Sequence, residues 1–338
     1  MIDCRPMEIA RRTFLEASAA AGVGAALFGI PSLARAARSP GPGFVVKVVD
    51  PAMYAGGRWR GAFPDPAVAT TMVNKAVMRL AGETDVGRAF ARFVSPSKKV
   101  GIKINVLGGR FSATSLEVTN AIVAGVRAAG VPDAQIQVFD QYEYGFRQGR
   151  YTLTDHPREG EIRTVNHDMV GYSDEPFEVN GVRVKLVNSF LWCDEIISVP
   201  VLKDHDLAGI TCAMKNLSCG VIDRPPRLHR TMNESIARFY AHDLIRSKVK
   251  LIVCDGAAVL YNNGPQNNSD FRNVHNAIYA TTDPVAMDRI AHEVIEAERA
   301  AARLPTLARA GRPPTFIEEG ERLGLGIGRR DDIVLDTI

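Results

Sequence analysis

Cysteine is scarce in this chain. There are five in 338 residues, and no two stand in the C-x-x-C spacing of a zinc or iron–sulfur site. So few cysteines in so long a chain also exclude a disulfide scaffold. An excess of one charge is lacking too. Forty-one Lys and Arg stand against 38 Asp and Glu, the net charge is +3, and the basic residues are scattered, so nucleic acid is not an expected partner. Apart from a mildly hydrophobic amino-terminal segment, no apolar run approaches the ~20 residues of a membrane span. The fingerprints GxGxxG after a strand, GxxxxGK(S/T), GxSxG and HExxH are all absent. Their absence removes the dinucleotide and nucleoside-triphosphate sites and the familiar hydrolase signatures.

What is present begins with an address. Arg11-Arg12-Thr13-Phe14-Leu15 precedes a weakly apolar run over 17–30 and the small-x-small site Ala34-Arg35-Ala36. Residues 1–36 therefore read as a twin-arginine signal cleaved after Ala36, and 37–43 as a linker rich in Pro and Gly. The expectation is an exported, periplasmic protein that meets the twin-arginine machinery and has no membrane span in its mature chain. Cys4 leaves with the signal. Cys193 and Cys254 lie in apolar runs and read as small buried hydrophobes, whereas Cys212 and Cys219 flank Lys215 and are candidates to pair or to bind a metal.

With 46% of its residues apolar, the remainder can bury a sizeable core. Strand patterns fall at 44–49, 100–105, 135–139, 182–187, 192–199, 249–254 and 333–335, and helical spacing at 65–80, 116–129, 233–244 and 284–302. The strand–helix–strand order over 100–139 predicts an α/β fold with a mainly parallel sheet flanked by helices, in one unit or two lobes. Residues 44–245 form the main part, and 246–338 complete the same unit. Residues 141–180 read as an irregular excursion whose His156 and His167 are surface or satisfied polar groups.

The chemistry gathers in residues 199–229, which follow the apolar run over 196–199 and so are expected at the carboxyl end of a strand. Here lie Lys203, His205, Lys215, Asn216 and His229. Lys103 and Asn105 close an earlier strand at the same end of the sheet. Neutral imidazole is both a proton acceptor and a metal ligand, and a lysine beside other cations can serve as a nucleophile. The stretch therefore reads as a proton-transfer site or a metal site.

Several blocks together resemble the bacterial family called domain of unknown function 362. They are VGIKIN at 100–105, VPVLKDHDLAGITCAMKNLSCG at 199–220, His229, Asp255-Gly256, Gly264-Pro265 and DPVAMD at 283–288. Some members of that family carry iron–sulfur cysteine motifs, which this chain lacks. A more distant likeness is to the catalytic lobe of the nickel-pincer-nucleotide lactate racemase, in which an acid/base histidine, a cofactor-bearing lysine and a nickel-binding histidine follow in order. That likeness implies His205 as a base, Lys215 as a nucleophile or cofactor anchor, and His229 as a metal ligand. Lys103, Asn105, Lys203 and Asn216 would be cofactor-binding, and the cofactor would be a metal ion or a nickel-pincer-type nucleotide. The racemase's other acid/base histidine has no counterpart at Asp140-Gln141, which argues against racemisation from both faces. The implied function is proton or hydride transfer on a small polar substrate, of the isomerase, epimerase or oxidoreductase kind. The alternative is a periplasmic protein that only binds a metal or small ligand.

Overall fold

The computed structural model describes residues 41–54 and 63–338; the signal expected over 1–36 and most of the expected linker lie outside them. The strands are β1 (Phe44–Val49), β2 (Val100–Lys103), β3 (Ile136–Asp140), β4 (Arg163–Asn166), β5 (Phe177–Val179), β6 (Val182–Val184), β7 (Glu195–Ser198), β8 (Val201–His205), β9 (Gly209–Thr211), β10 (Val249–Leu260), β11 (Arg272–Thr281) and β12 (Val334–Thr337). Among the described residues β5 and β6 make a small hairpin and the other ten form one sheet, ordered β12-β1-β11-β10-β7-β2-β3-β4, with β8 paired to β10 and to β9. The pairings β12–β1, β10–β7, β10–β8, β7–β2, β2–β3 and β3–β4 are parallel. Those of β11 with β1 and β10, and of β8 with β9, are antiparallel. Strands from 44–245 and from 246–338 thus share one α/β sheet.

Both faces of the sheet are covered, which explains the near-continuous apolar runs of its central strands. Alternation along β10 divides the core. Leu251 and Val253 join the cluster under the helices Pro66–Ala81 and Leu116–Ala128. Ile252 and Cys254 join the cluster under Pro284–Ala301 and Met232–Ala241. Helix ends follow their capping chemistry. Asp65 accepts from the amides of Ala67 and Val68 with Pro66 in the first turn, and Gly82, at φ 68°, closes that helix. Asp283 caps the helix Pro284–Ala301 through Val285 and Ala286. Ser115 sits at an N-cap position without capping; its hydroxyl and amide both donate to Asp255 instead.

Three parts of the sequence reading change. The 141–180 excursion contains β4, an edge strand of the sheet. The run starting at 249 continues to Leu260, and β11, unmarked in the sequence, pairs along it. Finally, the strand expected over 192–199 is followed directly by another after Pro200. β7 lies between β10 and β2 as far as Ser198, the chain then steps through Val199 and Pro200, and β8 continues along β10 with β9 on its other side. Past Ser198 the place held by β2 is taken by β9. A cleft opens between β9 and the residues that follow β2.

Candidate functional site

That cleft is a cavity of about 350 Å³ whose lining includes Asn105, His205, Thr211, Lys215, Asn216 and His229. The volume is in the range of small-molecule sites. Lys215 and Asn216 stand on the single-turn helix Ala213–Asn216, whose first amides would be orphans in the core. Asp288, from the DPVAMD block, takes them, accepting from Ala213 at 2.7 Å and Met214 at 3.0 Å. Burial lifts the Asp288 carboxyl to a pKa of about 7 against the pull of those two amides.

Lys103 and Lys203 lie under the cavity wall rather than in it, both with no exposed surface. Lys103 Nζ donates to Asp140 Oδ1 at 2.6 Å, to the Ile104 carbonyl at 2.8 Å and to Asn216 Oδ1 at 3.2 Å, so all three of its protons are used. Gly220 must be small here, since a Cβ would come within 2.8 Å of that amine. Lys203 Nζ donates to Asn105 Oδ1 at 2.8 Å and to the Ser112 carbonyl at 3.2 Å. Asn105 and Asn216 are joined at 3.3 Å, and Asn216 also donates to Ser198 and to the Lys103 carbonyl. The two asparagines therefore orient the lysines and present their own edges to the cavity. Burial lowers the Lys103 pKa against the opposing charge of Asp140. It brings Lys203 down to about 7, with Lys215 and Lys103 adding to the effect.

Lys215 differs from both. It is buried in the cavity wall, and among the described residues its amine has no hydrogen-bond or ion-pair partner. His205 is also buried, and its pKa falls to about 2, first through burial and then through Lys215 and Lys203. Its Nδ1 accepts from the amides of Leu207 at 3.1 Å and Ala208 at 3.3 Å. Asp206 Oδ1 also stands 3.0 Å from Nδ1, but the two amides assign the acceptor to Nδ1 and the proton of the neutral ring to Nε2, which offers the cavity a donor. The role of proton acceptor expected of His205 would use the other tautomer. The acceptor side of the ring is spent on its own turn.

Between Lys203 and His205, Asp204 faces the other way. Its carboxylate accepts from Arg312 at 2.6 Å and from the Gly264 amide at 2.9 Å, with Arg299 at 3.7 Å. Arg312 also donates to the His205 carbonyl. Nothing near Asp204 in sequence signals this role, because Arg312 is 108 residues away. His167, expected at the surface or satisfied, is fully enclosed with no partner for Nε2 among the described residues, and it does not line the cavity. Cys212 faces Cys254 at 3.8 Å, while Cys219 contacts Met232 and lines the cavity.

A family profile described as Domain of unknown function (DUF362) matches residues 100–293, which hold every lining residue named above. The chain belongs to that family. No curated protein matches it. Among solved structures, this DUF362 chain is similar to the lactate racemase apoprotein from Thermoanaerobacterium thermosaccharolyticum at 12% identity and a TM-score of 0.38. That match covers 64% of this chain and 52% of the racemase. It is also similar to a structural-genomics protein from Thermotoga maritima at 12% identity and a TM-score of 0.36, covering 65% of this chain and 57% of that one. The chain thus spans little more than half the length of either.

The metal implied for His229 is not matched by a ligand set in the DUF362 chain. Among the described residues no three of His, Cys, Asp and Glu are placed so that they could hold a metal ion. His205 presents a protonated nitrogen to the cavity, which is not a ligating lone pair. The donors present do not fit a metal held by protein side chains alone.

Proposed function

We propose that this DUF362 chain is an exported enzyme that carries out proton or hydride transfer on a small, polar, anionic substrate in the cavity of Lys215, His205 and His229. One observation carries the reading: a lysine in a cavity wall with no partner among the described residues, beside two lysines that are each bonded to named acceptors. An amine that opens on a cavity and has no acceptor of its own is matched by a ligand that brings an anionic oxygen. In this reading Lys215 is the reacting group and His205 donates from Nε2 to a substrate oxygen. Asn105 and Asn216 hold the orientation, and His229 stands at the exposed side of the cavity.

The test is thermal unfolding and calorimetric titration with a set of small hydroxy and oxo acids. At least one should bind and stabilise the wild type, and binding should vanish in Lys215→Met while the unliganded protein unfolds normally. Equal binding by wild type and variant, or equal stabilisation by neutral sugars, would discard the reading. Export rests on the Arg11-Arg12 pair. Replacing both with Lys should hold the protein in the cytoplasm, and normal periplasmic accumulation would remove that part alone.

A further inference from the structure

We propose that Lys215 forms an imine with the carbonyl carbon of its substrate, which makes small oxo acids the substrate class of the cavity. The inference rests on the reading of this cavity as a substrate site and adds to it the nature of the bond.

Three observations converge. The first is the contrast among the lysines. All three protons of Lys103 and two of those of Lys203 are taken by named acceptors, whereas the Lys215 amine has none among the described residues. A lysine held to neutralise or brace would have been given acceptors. An amine left with an open approach is suited to attack. It opens on the cavity with Lys103 and Lys203 behind it. The second is His205, whose Nε2–H is the donor that a carbonyl oxygen needs as negative charge develops on it. Thr211, which pairs with Lys203 across the β8–β9 hairpin, lines the same cavity with a buried hydroxyl that has no partner. The third is charge. Three lysines meet here and the enclosed carboxylate, Asp140, is already bonded to Lys103 and to the Val106 amide. The other acid of the lining, Asp206, is 65% exposed at the rim. The carboxylate of an oxo acid completes the balance, which a neutral ketone does not.

The step conserves atoms and needs no oxidant. The nitrogen lone pair forms a C–N bond as the carbonyl π pair moves to oxygen, where His205 donates a hydrogen bond. The carbinolamine then loses its C–O bond. The oxygen leaves as water with the two protons that the amine carried, and the C=N bond remains. Such an imine draws electrons from the adjacent carbon, which is what a proton transfer at that carbon requires.

The experiment is borohydride trapping of the exported protein with pyruvate, glyoxylate and 2-oxobutyrate in turn, read by intact and peptide mass spectrometry. At least one should leave a reduced adduct, the acid less one water plus two hydrogens, confined to Lys215. Acetone should leave far less. Lys215→Met and Lys215→Arg should leave none, the second retaining the charge and hence pyruvate binding. His205→Asn should trap on the order of a hundredfold more slowly, as for the loss of an oxyanion donor. No adduct with any of the three acids, or an adduct spread equally over exposed lysines such as Lys75, overturns the imine. If an oxo acid still binds in a Lys215-dependent way but is not trapped, the imine fails and the substrate site stands. If none binds and none is trapped, both fail.

Discussion

On β8 the side chain of Asp204 turns to one face and those of Lys203 and His205 to the other, and the two faces treat buried charge differently. Behind Asp204 the carboxylate is fully engaged, with Arg312, Arg299 and the Gly264 amide converging on it. That network also fixes the loop bearing Pro265 and Gln266 at the cavity rim, since Arg299 and Arg312 both reach Asn262. On the cavity face, among the described residues, the Lys215 amine and the Thr211 hydroxyl have no partner. The comparison separates what holds the site in place from what is left free to react.

Asp204→Ala should break this contrast most severely. It strands two guanidinium groups in a largely buried setting and should cost ~3–5 kcal/mol of stability in chemical denaturation. A loss below about 1 kcal/mol would show that the paired face is no more than a surface bridge. Next in size is a pH effect on Lys203. The unfolded lysine keeps its proton to about pH 10.5, while the folded one gives it up near 7. Between those values the unfolded state binds more protons, so this group makes stability rise with pH, by at most about 1.4 kcal/mol per pH unit. Lys103 shifts in the same direction. Denaturation between pH 7 and 9 should show the rise, and Lys203→Met should flatten it; an unchanged slope would mean that Lys203 keeps its proton throughout.

His205 gives a weaker version on the acid side. Its folded pKa of about 2 lies below the unfolded 6.5, so the unfolded state takes up the proton first and stability falls as pH drops below 6.5. His205→Asn, whose amide oxygen can still accept from Leu207 and Ala208, should reduce that fall. It will not abolish it, because His167 and His275 shift in the same sense. The smallest effect expected is the most telling. Lys215→Met should change stability at pH 7 by no more than about 0.5 kcal/mol, since no bond is lost. A large destabilisation would place Lys215 with the bracing groups.

How much of this could be read in the sequence depends on how local each signal is. The β2–helix–β3 unit and the helix at Pro284 announce themselves through apolar period and capping residues within a few positions. β8 does not, because a strand written Leu-Lys-Asp-His looks like a loop until its partners are known. Those partners are 98 residues away at Asn105, 91 at Ser112 and 108 at Arg312. The same distances explain the lysines. Sequence brought Lys103, Lys203 and Lys215 to one end of the sheet, but their difference lies in which acceptors surround each, and no spacing encodes that. His205 was found for its residue type, while the direction of its proton comes from two backbone amides in its own turn. Asp288 was visible only as part of a family block, and its capping of the Lys215 turn needed the fold.

One consequence of the sheet order concerns time. β1 is held between β11 and β12 and pairs with both of them only through residues made more than 200 positions later. β8 likewise waits for β10. A ribosome-bound chain therefore carries β1 with both edges bare until β11 is made and with one edge bare until synthesis passes residues 334–337, and the cleft with an unfinished wall until β10 has emerged. Such long-range pairing is slow to nucleate and leaves strand edges open to wrong partners meanwhile. The sheet is complete only once β12 is made, and a chain lacking that strand should have one edge of β1 exposed and be prone to aggregate.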